Sequence, residues 1–505
     1  MLFRRVIVIA IVGSTRMAGA QSTIEADAER MSLAQLFGAA VRVAPQLQSA
    51  AFDVATARAA RITAESIDDL DLTMSANRSL SWAPYVPVFD TGGFSATLAR
   101  KLPTNGTLSL AAGTAYSPGT VLSAGGPLNS VTTSVNLSLQ LVQPLLQNAG
   151  ADVERATIRQ TQHQLNAATI RRTAVARTYA AQVIAAYWTL ALAWRQLDVH
   201  KLTAEATKKQ LAAIQRGMKS GAIARSDALP FEQSLAASEI DIASSVRDII
   251  DQSIALRTLV GLEMPSDHVA IRPDELPKVV PRQLDLQGIV RRSVAASDDL
   301  RAALEDVRAA EAQWAASTRN LRPRLDLTLN GGPSGTAALP KFDPGAATSA
   351  MIRTPGYSAG ATLTFELPFA RNAVKGAYQN DRASVARTRF NLAADRRQII
   401  SDTTQLVYDA RTDARIVELA QEEARIAQAN LEAEQNKFEN GHSTANEIVR
   451  RYIDLEAARV QVESATADYI VSLAKIEAAT GEILPHYGIR MLDLEAVTES
   501  ALGNK

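Results

Sequence analysis

KSGAIARSDALPFEQSLAASEIDIASSVRDIIDQSIALRTLVGLEMP (residues 219–265) aligns without a gap on ENGHSTANEIVRRYIDLEAARVQVESATADYIVSLAKIEAATGEILP (residues 439–485), 220 positions further on. Gly221 falls on Gly441, Asp227 on Glu447, Leu235 on Leu455, Gly261 on Gly481 and Pro265 on Pro485. The spacing between the two glycines is therefore the same in both copies. A second alignment, shifted by 253, matches Leu33 to Leu286, Leu36 to Ile289, Val41 to Val294, Leu47 to Leu300 and Val54 to Val307. Two alignments in the same chain order argue for a duplicated chain rather than a chance likeness of Ala-rich helices. The shifts differ by 33, so the first half carries about 33 additional residues, placed most simply between Trp82 and Ser130.

Both halves share one order of elements. An opening helix (Ser32 to about Ile67; Asp285 to about Arg319) leads into alternating strands. A long helix follows (about Asp152 to Met218; about Ala373 to Phe438), then a glycine-marked reversal and a return helix (about Ser226 to Leu259; about Thr444 to Ala479). The long segments contain no proline, and at 1.5 Å per residue each would run roughly 100 Å. Rods of that length must bury a stripe against other rods. Ile448, Tyr452, Leu455, Val462, Tyr469, Leu473 and Ile476 supply one, at steps of three, four and seven, and Leu235, Ile242, Val246, Ile249, Leu256 and Val260 supply its counterpart. That spacing is the seam of antiparallel coiled coils. Arg411, Glu418, Glu422, Glu423 and Arg425 are expected to face water.

Four segments instead alternate with period two. Leu325, Leu327 and Leu329 are interleaved with Asp326, Thr328 and Asn330. Tyr357 to Leu367 and Val131 to Leu141 show the same alternation, and Leu70 to Asn77 shows it more weakly. Runs of about ten residues, apolar on one face and small and polar on the other, suit tilted membrane strands, although a half-buried soluble sheet would look alike. Pro84 to Gly93, Ser117 to Asn129 and Gly331 to Gly356 read as exposed loops. The stretch Gly93 to Tyr116 reads as a hairpin turning at Pro103-Thr104-Asn105-Gly106, either within a barrel or decorating it. Four strands cannot close a barrel, so closure calls for several chains.

Composition narrows the functional classes. The 505 residues carry 53 basic and 53 acidic side chains, so no basic surplus points to nucleic acid. There is no cysteine, which excludes disulfides, thiolate chemistry and a lipid-bearing N-terminal cysteine. Arg4 and Arg5, the apolar run Val6 to Val12 and Ala18-Gly19-Ala20 read as a secretory signal peptide over residues 1–20. The expected domains are then repeat 1 (21–265), repeat 2 (266–485) and a C-terminal tail (486–505). His163, His200, His268, His442 and His486 are scattered, without a second ligand at metal spacing. Gly331-Gly332-Pro333-Ser334-Gly335 is not a nucleophile elbow. The reading is therefore not an enzyme, with no catalytic residue, cofactor or metal site.

On these patterns the chain resembles the TolC-like outer-membrane efflux and secretion channels. Pro45-Gln46-Leu47-Gln48-Ser49-Ala50 looks like the family's opening-helix signature. Leu141 to Leu146, around Pro144, and Phe365 to Phe369, around Pro368, look like its strand-to-helix turns. Lys219-Ser220-Gly221 and Glu439-Asn440-Gly441 look like its reversal tips. The resemblance implies a mainly α fold with β. It would form an outer-membrane β-barrel of twelve strands over a periplasmic α-helical coiled-coil tunnel, as a homotrimer built from an internal two-fold repeat. It implies a passive exit duct partnered by a periplasmic adaptor (membrane fusion) protein and an inner-membrane transporter of RND or ABC type. It also implies that Ser220, Gly221, Ser226, Asn440, Gly441 and Thr444 lie at the adaptor-docking tips. Acids near Asp227 and Glu447 would line the periplasmic entrance; Arg450 stands where the family often has a further acid. Thr444 to Glu447 reads equally as a capping box, and Ser226-Asp227 as a cap with a first-turn acid. A periplasmic coiled-coil adaptor or envelope scaffold is one alternative, but it would need one hairpin rather than two with strands between them; a secreted filament or adhesin is another, but it would not need the duplicated tips.

Overall fold

The computed structural model describes residues 28–83, 86–123, 126–219, 224–265, 268–274, 282–440 and 442–488. The first half runs β1 (Glu29–Met31), α1 (Leu33–Val43), α2 (Pro45–Glu65), β2 (Leu70–Ala83), β3 (Val86–Lys101), β4 (Thr107–Ser123), β5 (Gly126–Pro144), α3 (Ala151–Glu154), α4 (Ala156–Lys219) and α5 (Leu229–Val260). The second runs β6 (Ile271–Pro273), α6 (Leu286–Ala296), α7 (Asp298–Asn320), β7 (Arg324–Leu339), α8 (Pro344–Arg353), β8 (Gly356–Glu366), α9 (Asn372–Glu439), α10 (Ala445–Thr480) and α11 (Ile483–His486). Two units emerge, one of residues 1–55, 169–301 and 393–505 and one of residues 56–168 and 302–392. The expected signal peptide, residues 1–20, lies outside the described residues.

The duplication is visible in the backbone. Gly261 and Gly481, the matched glycines after the return helices, both cap their helix in the left-handed region at φ +80°, where an L side chain is strained. Each opening helix, expected as one, is two. Pro45 lacks an N–H and bars the residue before it from helical ψ, so Ala44 turns out at ψ 120°. The second copy has no proline there; Ser297 adopts ψ 116° and its hydroxyl accepts from the Leu300 N–H at 3.2 Å, starting α7 afresh.

In the first unit the apolar seam is buried as the spacing requires. Ile242, Ile249, Leu256 and Val260 of α5 join Leu36 of α1 and Val183, Ile184, Tyr187, Leu190 and Leu197 of α4 in one core. Val417 and Ala420 of α9 close on Ala465 and Tyr469 of α10. Arg411, Glu418, Glu422, Glu423 and Arg425 are exposed. The short parallel pair β1–β6, which has no periodicity to betray it, is fixed by Trp194 Nε1 donating to the Ile271 carbonyl at 2.9 Å.

The second unit holds a six-stranded sheet, order β2-β3-β4-β5-β7-β8, antiparallel throughout. Leu72, Leu98, Leu110, Leu139, Gly331 and Ala359 face one another across it in register, and so on the other face do Ser75, Ser95, Gly113, Asn136, Ser334 and Gly356. One side is thus mainly apolar, broken by Arg78, Asp90 and Arg100, and the other is small and polar across all six strands. The apolar side is largely bare: Leu72, Leu139, Leu363 and Phe365 are 52–63% exposed. A contiguous apolar patch of this kind needs lipid or a partner. Among the described residues no helix is long and apolar enough to cross a membrane.

Three expectations are corrected here. Among the described residues this sheet has six strands rather than four, and they span 11–19 residues rather than about ten. The stretches read as loops are mostly strand: 86–93 lies in β3, 117–123 and 126–129 in β4 and β5, and 331–339 in β7, with 344–353 helical. Gly332 and Gly335 do not mark turns. A Cβ on Gly332 would stand 1.9 Å from the Leu137 carbonyl oxygen, and one on Gly335 2.3 Å from the Ala347 oxygen of α8, so glycine is there for close approach.

Candidate functional site

The reversal tips belong to the first unit, where four helix ends converge. Phe231, wholly buried at the start of α5, packs with Ile448 and Val449 of α10, Leu211 and Ile214 of α4 and Leu431 of α9. Ala228 and Ala445, the residues that open the two return segments, join the same cluster. Asp227 and Glu447 are therefore placed at one end of one packed group. The Gln435 amide donates to the Tyr452 hydroxyl at 2.8 Å and pins α9 to α10 close by.

The first tip does not begin as expected. Ser226 does not cap the return helix: residues 225–227 form a 3-10 turn, and α5 starts at Leu229 with Pro230 in its first turn. Proline is at home there because that backbone N–H has no helical acceptor. Asp227 closes the 3-10 turn. Ser220, Gly221 and Gly441 lie outside the described residues. Asn440 folds back on its own helix, its side-chain amide donating to the Asn436 carbonyl at 2.7 Å.

At the second tip Thr444 caps α10, its hydroxyl accepting from the Glu447 N–H at 3.4 Å. The Glu447 carboxylate does not complete the box by reaching back; it sits 3.7 Å from Arg450 and 3.8 Å from Arg451. Arg451 also meets Asp454 at 3.1 Å. These pairs are exposed and contribute little to stability, but they place two cations beside the one acid. The second tip thus carries mixed charge rather than an isolated carboxylate.

The strand-to-helix handovers lie in the second unit. Pro144 is the last residue of β5, and the Leu145 N–H donates to the Leu325 carbonyl at 2.7 Å. Asn148 and Gly150 then take φ of +60° and +100° to turn the chain into α3. Pro368 lies between β8 and α9, and Arg371 at φ +53° starts that helix.

Two histidine contacts were not legible as such. His200 of α4 meets Glu456 of α10 at 2.5 Å, and that hydrogen bond raises the imidazole's pKa above its usual value against the opposing effect of burial. His163 meets Glu305 of α7 at 2.7 Å, and the Asn166 amide donates to the same carboxylate at 3.3 Å. The available signal was position: His200 lies three residues after the buried Leu197 and four before Ala204, on the seam itself.

A family model described as "Outer membrane efflux protein" matches residues 36–262 and 289–482, most of the chain and one block in each half. No curated protein sequence matches. Solved structures do. The Campylobacter jejuni CmeC outer membrane channel superposes with a TM-score of 0.66 at 13% identity, covering 89% of this chain and 85% of that one. The Vibrio cholerae outer membrane protein VceC gives 0.65 at 15%, covering 89% and 96%. The open-state Neisseria gonorrhoeae MtrE outer membrane channel gives 0.64 at 16%, covering 90% and 89%. Paired return helices, long unbroken rods in each half and a two-faced sheet thus coincide with a match to both halves: the chain belongs to the outer membrane efflux protein family, outer-membrane channels with a periplasmic helical tunnel.

Proposed function

We propose that this protein is the passive outer-membrane exit duct of a tripartite efflux pump or type I secretion system. Three copies would associate, a periplasmic adaptor would dock at the reversal tips, and an RND- or ABC-type inner-membrane transporter would supply the energy. The observation that carries this reading is the sheet. One side is mainly apolar, with the Arg78–Asp90 ion pair toward one end, the other is small and polar, and among the described residues its β2 and β8 edges stand open. A water-filled barrel closed by neighbouring chains satisfies both, since lipid takes the apolar side and the edges pair. Repeats of residues 21–265 and 266–485, behind a signal peptide of residues 1–20 and before a tail of 486–505, fit the two matched blocks. No group in the duct performs chemistry in this reading; shape and charge do the work, and Asp227, Glu447 and Arg450 would set the charge at the periplasmic mouth.

Fractionation tests it. The protein should partition with outer membranes, need detergent for extraction and run as a trimer that heat dissociates. Cells lacking it should lose export of the cargo of its partner pump. A soluble monomer recovered from the periplasm would instead favour the scaffold alternative.

A further inference from the structure

The hairpin β3–β4 is an insertion that respects the register of everything around it. Leu72 faces Leu98, Leu98 faces Leu110, and Leu110 faces Leu139. Excising residues 86–123 would therefore leave Leu72 opposite Leu139, with both faces of the sheet still matched. Among the described residues the second half contributes β7 and β8 to this sheet where the first contributes four strands, which accounts for the extra length of the first half.

We propose that this hairpin is built into the wall of the lumen, so that three chains of six strands close an eighteen-stranded barrel. The inference rests on the trimeric outer-membrane reading above. Three observations carry it. First, β3 is bonded to β2 from Leu70/Arg100 to Ser81/Phe89, and over Gly92–Lys101 it is bonded to β4 as well, from Gly92/Tyr116 to Lys101/Thr107. A decorating flap would not be paired on both sides over such a stretch. Second, the hairpin repeats the two-faced pattern of its neighbours. Phe94, Ala96, Leu98, Leu108, Leu110 and Ala112 take the apolar side, and Ser95, Thr97, Ser109 and Gly113 the polar side. Third, its turn is fastened to the β5 handover. The Asn105 amide donates to the Asn148 carbonyl at 2.6 Å, the Thr104 hydroxyl to Gln143 Oε1 at 2.6 Å, and the Gly150 N–H to the Thr104 carbonyl at 3.2 Å.

The consequence is width. At a strand spacing of about 4.8 Å and a tilt near 40°, eighteen strands give a backbone radius of about 18 Å, against about 12 Å for twelve. Ser, Thr, Gly and Ala on the polar face take up little of it. The clear passage is roughly 25–30 Å, the breadth of a small folded domain. The exit section is thus sized for cargo that a twelve-stranded barrel would hold back.

The chain has no cysteine, so introduced pairs report without background. In the detergent-extracted trimer, Ser75→Cys with Ser95→Cys, and Ala111→Cys with Ser138→Cys, should oxidise to disulfides. Ser75→Cys with Asn136→Cys should not, because two strands separate them. Electron cryomicroscopy of the same trimer should count eighteen strands, at the wider of the two radii. Twelve strands, with β2 bonded directly to β5 or the Ser75/Asn136 pair oxidised, overturns the proposal while leaving the channel reading intact. A monomer that shows the two ladder disulfides but never assembles overturns both.

Discussion

Phe231 is buried among the helix ends that meet at the two reversal tips. It is 0% exposed, and its neighbours come from three other helices: Ile214 of α4, Leu431 of α9 and Ile448 of α10. Replacing it with alanine removes a benzyl group from a site whose walls belong to four separate helix ends. These walls cannot collapse together without moving the tips. Transfer and cavity terms together cost about 3–5 kcal/mol. Leu229, two residues earlier and 55% exposed, is the matched control; Leu229→Ala should stay within about 0.5 kcal/mol. Because the cluster is local, the loss should appear as local opening rather than global unfolding. Deuterium exchange of peptides covering residues 442–455 should accelerate a hundred- to several-thousand-fold in Phe231→Ala, since about 1.4 kcal/mol corresponds to a factor of ten. Peptides covering residues 94–116 in the sheet should exchange as before. Equal exchange at the tip in the two variants would show that Phe231 does not hold the tips together, and the docking argument would fail with it.

The His200–Glu456 contact sets a pH dependence. The folded-state pKa of His200 is raised, first by its hydrogen bond to Glu456, so its contribution is complete below the unfolded value near 6.5 and fades as pH climbs through the folded one. His200→Gln should lower the thermal midpoint at pH 5.5 and leave it nearly unchanged at pH 9; an equal loss at both would refute the linkage. Gly332→Val forces a Cβ onto the Leu137 oxygen at 1.9 Å and should abolish the heat-labile trimer. By contrast Gly376→Ala, in α9 with nothing within 4 Å, should stabilise by about 0.5–1 kcal/mol in thermal melts. In planar bilayers Arg450→Ala with Arg451→Ala should move the reversal potential toward cation selectivity by unmasking Glu447. Asp227→Ala with Glu447→Ala should move it the other way, and no shift in either variant would leave Thr444–Glu447 a helix start and nothing more.

The periodic parts of the fold were legible because one force shaped them. Seam residues such as Ile249 and Leu455 recur at three- and four-residue steps because a rod buries a stripe, and the matched Gly261 and Gly481 announced the repeat because only a left-handed cap ends both helices without strain. The sheet was half legible. Leu325, Leu327 and Leu329 alternate openly, whereas Gly92, Gly93, Gly331 and Gly332 read as turn residues. Composition alone does not distinguish a glycine that frees the backbone from one that makes room for a neighbouring strand. At the candidate site, Thr444 was read from its cap spacing. The Arg450 and Arg451 contacts that offset Glu447 depend on rotamers one helical turn away, and the His200–Glu456 pair joins residues 256 positions apart, beyond any local pattern.

Helix α8 lies on the apolar face of the sheet, at the end remote from the strand-to-helix handovers. Its Ala347 oxygen presses on Gly335, Thr133 accepts from the Asp343 N–H at 3.2 Å, and the Phe342 ring packs at a tilt against Tyr116, with centroids 5.1 Å apart. Hydrocarbon cannot occupy a surface already taken by a polypeptide whose terminal carbonyls and Arg353 require water. In the outer-membrane reading proposed above, the helix is therefore a waterline: acyl chains cover the apolar face only up to its height.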